Sequence, residues 1–436
     1  MKRNEKIGNV LSLDPMYSPL HNKIADRYKG RKIAILSSFG LKHYLPDFEC
    51  LYIETIFKRT NLNVTSVDIE LVQQINNHFT SFLKKVEKRK PSSSELAYMT
   101  KFYVYLRSFL IDNEIRLVLL HNDLRWQHSI AVMLCKEMNI DYLVTEQGLF
   151  RPITTIVDRH GVNANSRVKD EYLSFVGKGE DIKSYYSNEI VNSSHDSLYS
   201  YINFFRYLVF SKLGTFLGRE ARVVHKRHTF SEYIKRFYVH KCTSLFSNKI
   251  DLFSEKTNSS SKKLIFVPLQ LELDTQFLVH SDFSKIQEVI DLIQQSFTEL
   301  GLGDNYELVF KLHPNDLNKY SFESYSKITK ANIDNNFLEN VSLVISVNSS
   351  ALLQVLSTNT PIITLGRSIY NFENVSIESN KENLVSNIRV QLSENIDMDK
   401  RRHYIEYLRF VYSIQGAGNS FSEKQIDRII DMLDRG

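Results

Sequence analysis

The stretch VSLVISVNSSALLQVLSTNTPIITLGRSIY, Val341 to Tyr370, narrows what this chain can fold into more than any other. Val341–Val347 is a short apolar run rich in β-branched residues and bounded by polar ones, the pattern of a buried strand. Asn348, Ser349 and Ser350 follow at once, and each carries a side-chain oxygen suited to capping a helix N-terminus. Ala351–Ser357 reads as a short helix, Pro361 closes the loop after it, and Ile362–Leu365 supplies the next buried strand, ending at Gly366. Such a strand–helix–strand unit presents backbone N–H groups and the positive end of a helix dipole, which suit a phosphate. The serines also admit the plainer reading of helix caps and nothing more.

The same alternation recurs upstream. Residues up to about Tyr28 read as an irregular lead-in, and Lys32–Ser38 as the first buried strand. Cys50–Phe57 reads as a strand or a short helix, Val67–Lys88 and Glu95–Ile111 as helices. Arg116–His121 is a strand, Ser129–Met138 a helix, and Tyr142–Thr145 a strand running into Glu146-Gln147-Gly148. Residues 151–166 read as a long loop. Strands alternating with helices indicate a parallel α/β sheet, whose ligands bind at the carboxyl ends of the strands. His121-Asn122-Asp123 and Glu146-Gln147-Gly148 both stand at such ends.

From Glu171 to about Asp251 the chain turns helical, aromatic and basic. One reading is a helical insertion with a solvated charged face; the other is a surface for an anionic membrane or headgroup. The Ser-rich KTNSSSKK stretch then reads as a linker. Beyond it Leu264–Val267 and Glu307–Leu312 are strands and Phe283–Leu300 a helix. The expected organisation is an α/β fold of two Rossmann-like lobes, 1–170 and 264–396. A helical insertion at 171–255, a linker at 256–263 and a helical tail at 397–436 complete it.

A chain of 436 residues has room for two or three cores, and its net charge of +5 is too weak to argue for nucleic acid. Its three cysteines are far apart and odd in number, so no disulfide framework is implied. With no apolar run of transmembrane length and no signal-peptide core, the expected setting is cytoplasmic, with a peripheral contact on the inner face of the cytoplasmic membrane as the alternative.

Four clusters stand at expected strand ends: Glu146-Gln147-Gly148, Gln270–Gln276, His313-Pro314 and Asn348-Ser349-Ser350. Asp274 follows the point where the apolar PLQ run breaks into carboxylates, which suits a nucleophile or base. His313 can neutralise a phosphate, and the serine cap supplies a second phosphate contact. A carboxylate beside a two-part anion site fits attack on a nucleotide-activated group. No Walker loop, dinucleotide fingerprint or HExxH motif is present, so neither cofactor nor metal has sequence support.

Five blocks carry a resemblance: NDLRWQHSIAVMLCKEMNI, TEQGLFRPITTIVDRHGVNANS, FVPLQLELDTQFLVHSDF, VFKLHPND and ISVNSSALLQVLSTNTPIITLGRSIY. In this order they resemble the capsule polysaccharide biosynthesis family, bacterial transferases that build a β-linked Kdo linker on a lipid. The basic run His225–His228 is similar to one in that family. The chain departs from the family's usual pattern at Leu149, Thr154 and Ala351.

The resemblance implies a two-lobed glycosyltransferase-B-like fold, CMP-Kdo as donor substrate, no cofactor, a lipid or glycan acceptor, and retention at the anomeric centre. It implies Asp274 as the catalytic carboxylate and Glu146 as the second acid. Gln270, His313, Pro314, Asn348, Ser349 and Ser350 would bind the nucleotide. Gln147, Gly148, Arg151, Asn163, His225, Arg227 and His228 would contact sugar or acceptor. A transferase of the same architecture using another activated sugar, and a non-catalytic scaffold for capsule assembly, remain open beside it.

Overall fold

The computed structural model describes residues 6–186, 193–223, 262–330, 333 and 335–434, with the backbone alone at 193–201 and 335–336. The chain divides into two compact units. One comprises Met1–Lys84, Arg89–Lys226 and Glu406–Gly436; the other comprises Lys85–Lys88 and Arg227–Ile405.

The first unit holds β1 (Lys6–Ile7), β2 (Asn9–Leu13), β3 (Tyr28–Lys29), β4 (Lys32–Leu36), β5 (Glu49–Tyr52), β6 (Ile115–His121), β7 (Asp141–Gln147) and β8 (Thr154–Asp158). β1 and β3 form a small parallel pair. The others join β15 (Ser413–Gln415) in a seven-stranded sheet of order β15-β8-β7-β6-β2-β4-β5. β7, β6, β2, β4 and β5 run parallel, and β8 and β15 are added antiparallel at one edge. The chain leaves β2 in one direction for β4 and β5, then returns to β6 on the other side. The topological switch therefore lies between β2 and β6.

Four expectations need correction here. The lead-in contains β2, a central strand, because Val10, Leu11 and Leu13 are fully buried although Ser12 interrupts the apolar run. The loop 151–166 contains β8, whose antiparallel pairing lets it follow β7 through a short turn. The helix expected over Val67–Lys88 is two, Ser66–Gln74 and His78–Lys85, with Asn77 accepting the Thr80 N–H at 3.0 Å at the start of the second.

The tail 397–436 is the fourth. Its last helix, Glu423–Asp434, places Ile426, Ile429, Ile430 and Leu433 in the core that holds Val10, Leu117 and Leu143. That spacing is one face of a helix, and burying it binds the segment to the first unit.

The second unit holds β9 (Lys263–Pro268), β10 (Tyr306–Lys311), β11 (Lys327–Thr329), β12 (Val341–Ser346), β13 (Ile362–Thr364) and β14 (Ile377–Glu378). They form one parallel sheet of order β11-β10-β9-β12-β13-β14, with the switch between β9 and β12. Arg401 is fully buried here; its guanidinium donates to the carbonyls of Asn374, Thr358, Thr360 and Val375, so residues 397–405 belong to this unit.

Candidate active site

The second unit's switch point is closed by two amides. Gln270 follows β9 and Asn348 follows β12; Gln270 Nε2 donates to Asn348 Oδ1 at 2.9 Å. Asn348 Nδ2 donates on to the carbonyl of Gln276 at 3.0 Å. Both side chains are buried, so each bond replaces water that is no longer there. Asn348 thus looks inward and does not cap the following helix, which is only Leu352–Val355. Ser349 remains half-buried, its Oγ accepting the Ala351 N–H at 3.3 Å, and Ser350 is exposed.

Asp274 stands beyond Gln270 as the N-cap of a helix the sequence pattern did not disclose, Thr275–His280. Its Oδ1 accepts the Gln276 N–H at 2.8 Å, which fixes the carboxylate at the same edge of the sheet. His313 follows β10 and is half-buried. Its Nδ1 accepts the Asn315 N–H at 3.1 Å, leaving Nε2 to carry the ring proton. Burial lowers its pKa, while the carboxylates of Asp274 and Asp316 pull the other way. Asp274 and His313 are therefore within electrostatic reach of each other. Pro314 is exposed beside them.

In the first unit, Glu146 lies at the end of β7. Its Oε2 accepts from Asn122 Nδ2 at 2.7 Å and its Oε1 from the Gln147 N–H at 2.8 Å. Asn122 holds a left-handed φ of 62° at the end of β6, a conformation asparagine tolerates. Gly148 is compelled by packing: a Cβ there would stand 2.1 Å from the Thr154 carbonyl oxygen. Arg151 and Gln147 are exposed, and Asn163 opens the turn Asn163–Asn165. His225, Arg227 and His228 lie outside the described residues.

Residues beyond the expected set crowd this edge. Burial pushes Asp123 up to about 6, Asn165 Nδ2 donates to its Oδ2 at 2.7 Å, and the Glu146 carboxylate adds a further upward push. Asp14 accepts from the Ser37 N–H and from Gln127 Nε2, each at 2.8 Å. His21 pairs with Ser12 Oγ at 2.8 Å and Thr145 Oγ1 at 3.3 Å, and His121 Nδ1 with the Thr145 carbonyl at 2.9 Å. Burial lowers both histidines to about 3 and takes His128 well below its ordinary value. His121-Asn122-Asp123 was visible as a strand end; Asn122's role in holding Glu146 was not, because its partner comes from the next strand. Among the described residues no cluster of three His, Cys, Asp or Glu is placed to hold a metal ion.

The family model described as capsule polysaccharide biosynthesis protein matches residues 116–410. This chain belongs to that family. The match contains all five motif blocks and the described candidate residues of both units. Among relatives, the capsule polysaccharide modification protein LipB of Neisseria meningitidis serogroup A is 24% identical over 298 residues, covering 63% of this chain and 69% of LipB. The capsule polysaccharide export protein KpsS of Escherichia coli is 20% identical over 304 residues, covering 64% of this chain and 74% of KpsS. The solved structure of Thermosulfurimonas dismutans KpsC, beta Kdo 2,7 transferase, aligns at 13% identity and a TM-score of 0.39, over 81% of this chain and 95% of that one. That likeness is too loose to place any residue.

Proposed function

We propose that this capsule-family protein is a retaining glycosyltransferase that moves Kdo from CMP-Kdo to a lipid or glycan acceptor in bacterial capsule or surface polysaccharide synthesis. The observation that carries the reading is the pairing of a fixed carboxylate, Asp274, with His313 at the switch-point edge of a parallel sheet. In this reading the nucleotide phosphate is held by His313 Nε2–H and the turn at Ser349-Ser350, while Gln270 and Asn348 clamp the ends of β9 and β12 to each other.

In the first step Asp274 attacks the anomeric carbon, forming an ester to Kdo as the bond to the CMP phosphate breaks and CMP departs. In the second the acceptor oxygen displaces the carboxylate, and the acceptor's proton passes to Glu146. Two inversions give retention. The reaction as proposed calls on no cofactor, and its setting is the inner face of the cytoplasmic membrane, where a lipid acceptor is reached.

Intact-protein mass spectrometry after incubation with CMP-Kdo tests this. Asp274→Asn keeps an N-capping side chain, so the fold and CMP affinity should persist while transfer falls by several orders of magnitude. Glu146→Gln should slow the second step more than the first and accumulate the sugar adduct. An adduct on the Asp274→Asn protein would remove Asp274 from the mechanism. No CMP release from CMP-Kdo by the native chain would remove the donor.

A further inference from the structure

The helix Ser193–Phe216 of the first unit is apolar on two opposite faces. One face is packed: Phe204 and Tyr207 meet the Tyr17 ring at 5.7 and 5.2 Å, and Phe210 meets Phe39 at 6.0 Å. On the other, Ile202 is 50% exposed, Phe205 60%, Val209 50%, Leu213 44% and Phe216 88%. At 3.6 residues per turn these five fall within an arc of about 80°. Arg206 and Lys212, both exposed, flank that arc, one on each side. From Ser197 to Arg219 the chain carries Arg206, Lys212 and Arg219 and no acid. A stripe of this kind is far from the scattered single apolar residues of an ordinary surface.

We infer that this stripe docks the protein on an anionic lipid surface, the helix lying in the plane of the interface. Among the described residues no helix is long and apolar enough to cross a membrane, which suits lying and excludes spanning for this one. The apolar side chains enter the acyl boundary while Arg206 and Lys212 extend sideways to anionic headgroups. Charge selects lipid over a second copy. Pairing two such helices antiparallel about Val209 would set the two Arg206 side chains along one edge of the contact and the two Lys212 side chains along the other, like charge beside like charge. The inference does not depend on the donor chemistry proposed above.

The full-length chain is tested by co-sedimentation with vesicles of phosphatidylcholine alone or mixed with phosphatidylglycerol. Binding should require phosphatidylglycerol and weaken as salt rises. Arg206→Gln and Lys212→Gln should each cost about fivefold in partitioning, and Phe205→Glu should cost more. Because these side chains are exposed, the variants should keep the native melting temperature. A Phe205→Glu protein that melts as the native one and binds as well overturns the inference.

A second readout uses Trp126, which is the chain's single tryptophan and fully buried. The added emission of Val209→Trp should shift to the blue only with anionic vesicles. A blue shift without lipid means that protein covers the stripe, a second copy if it depends on concentration and another part of the same chain if it does not. Either result overturns lipid docking.

Discussion

In the first unit the strands around the switch point end among buried titratable side chains, His121 and Asp123 at the end of β6 and His21 packed against them from the helix Leu20–Ala25. In the second they end in a pair of neutral amides, Gln270 and Asn348, with Asp274 and His313 set out on the half-buried rim. Both sheets have a parallel core with one switch, so topology alone does not dictate the difference. Neutral amides clamp two strands without a charge to desolvate and leave the rim free to meet an anion. Buried histidines must stay uncharged, and they tie the stability of the first unit to pH.

The largest expected effect follows from that tie. A histidine whose folded-state pKa is lowered holds fewer protons folded than unfolded below its ordinary value. Its stabilisation is present above 6.5 and is lost as pH falls from 6.5 toward about 3. Each of His21 and His121 should cost about 1.4 kcal/mol per pH unit in that window. Asp123 works in the opposite sense: raised to about 6 from 3.8, it regains stability as pH falls through that interval. Glu171, raised to about 7, opposes the histidines as Asp123 does, while the lowered His128 adds to them. Urea unfolding read by Trp126, which lies in the first unit, should still weaken from pH 6.5 to 5. His21→Gln should flatten the slope by about 1.4 kcal/mol per pH unit. An unchanged slope in that variant would break the contrast between the two edges.

The second unit should behave otherwise. Gln270→Leu keeps the volume and leaves the buried Asn348 Oδ1 without its donor, a cost of about 1–3 kcal/mol. Hydrogen exchange along Val341–Ser346 should accelerate accordingly. Because neither amide titrates, the loss should be equal at pH 5 and pH 8. A loss that grew at low pH would mean that a titratable group shares the clamp.

How far this contrast was readable beforehand differs between the two sheets. VSLVIS at β12 announced itself because Leu343, Val344 and Ile345 run unbroken between Val341 and Val347, and all of these apolar residues but the leucine are β-branched. NVLSL at β2 did not, since Ser12 faces a buried hydrogen bond with His21 and so a core position carries a polar residue. The helix Thr275–His280 is too short to show a period, which hid Asp274's role as a cap. β15 is three residues whose pairing with β8 spans most of the chain. Asp274, His313 and Glu146 were legible as polar residues ending apolar runs. Their partners were not: Asn122, Asn315 and Gln276 act through contacts that depend on register and turn geometry.

The smallest effect concerns His313, and it separates a rim histidine from a buried one. His21 is locked neutral, whereas His313 keeps Nε2–H toward the rim and is lowered chiefly by burial, with Asp274 and Asp316 resisting. If the CMP phosphate sits there, a bound anion favours the protonated ring, so affinity should rise as pH falls through the titration of the free protein's histidine. The gain is the difference between a charged and a neutral hydrogen bond, about 1 kcal/mol or fivefold in Kd. CMP's own phosphate titrates nearby, but it does so equally for the native chain and for His313→Gln. The difference between their calorimetric affinities, followed from pH 8 to 5, isolates the imidazole. It should widen toward low pH; parallel curves would take the phosphate away from His313 and leave Ser349-Ser350 as the remaining anion contact at that edge.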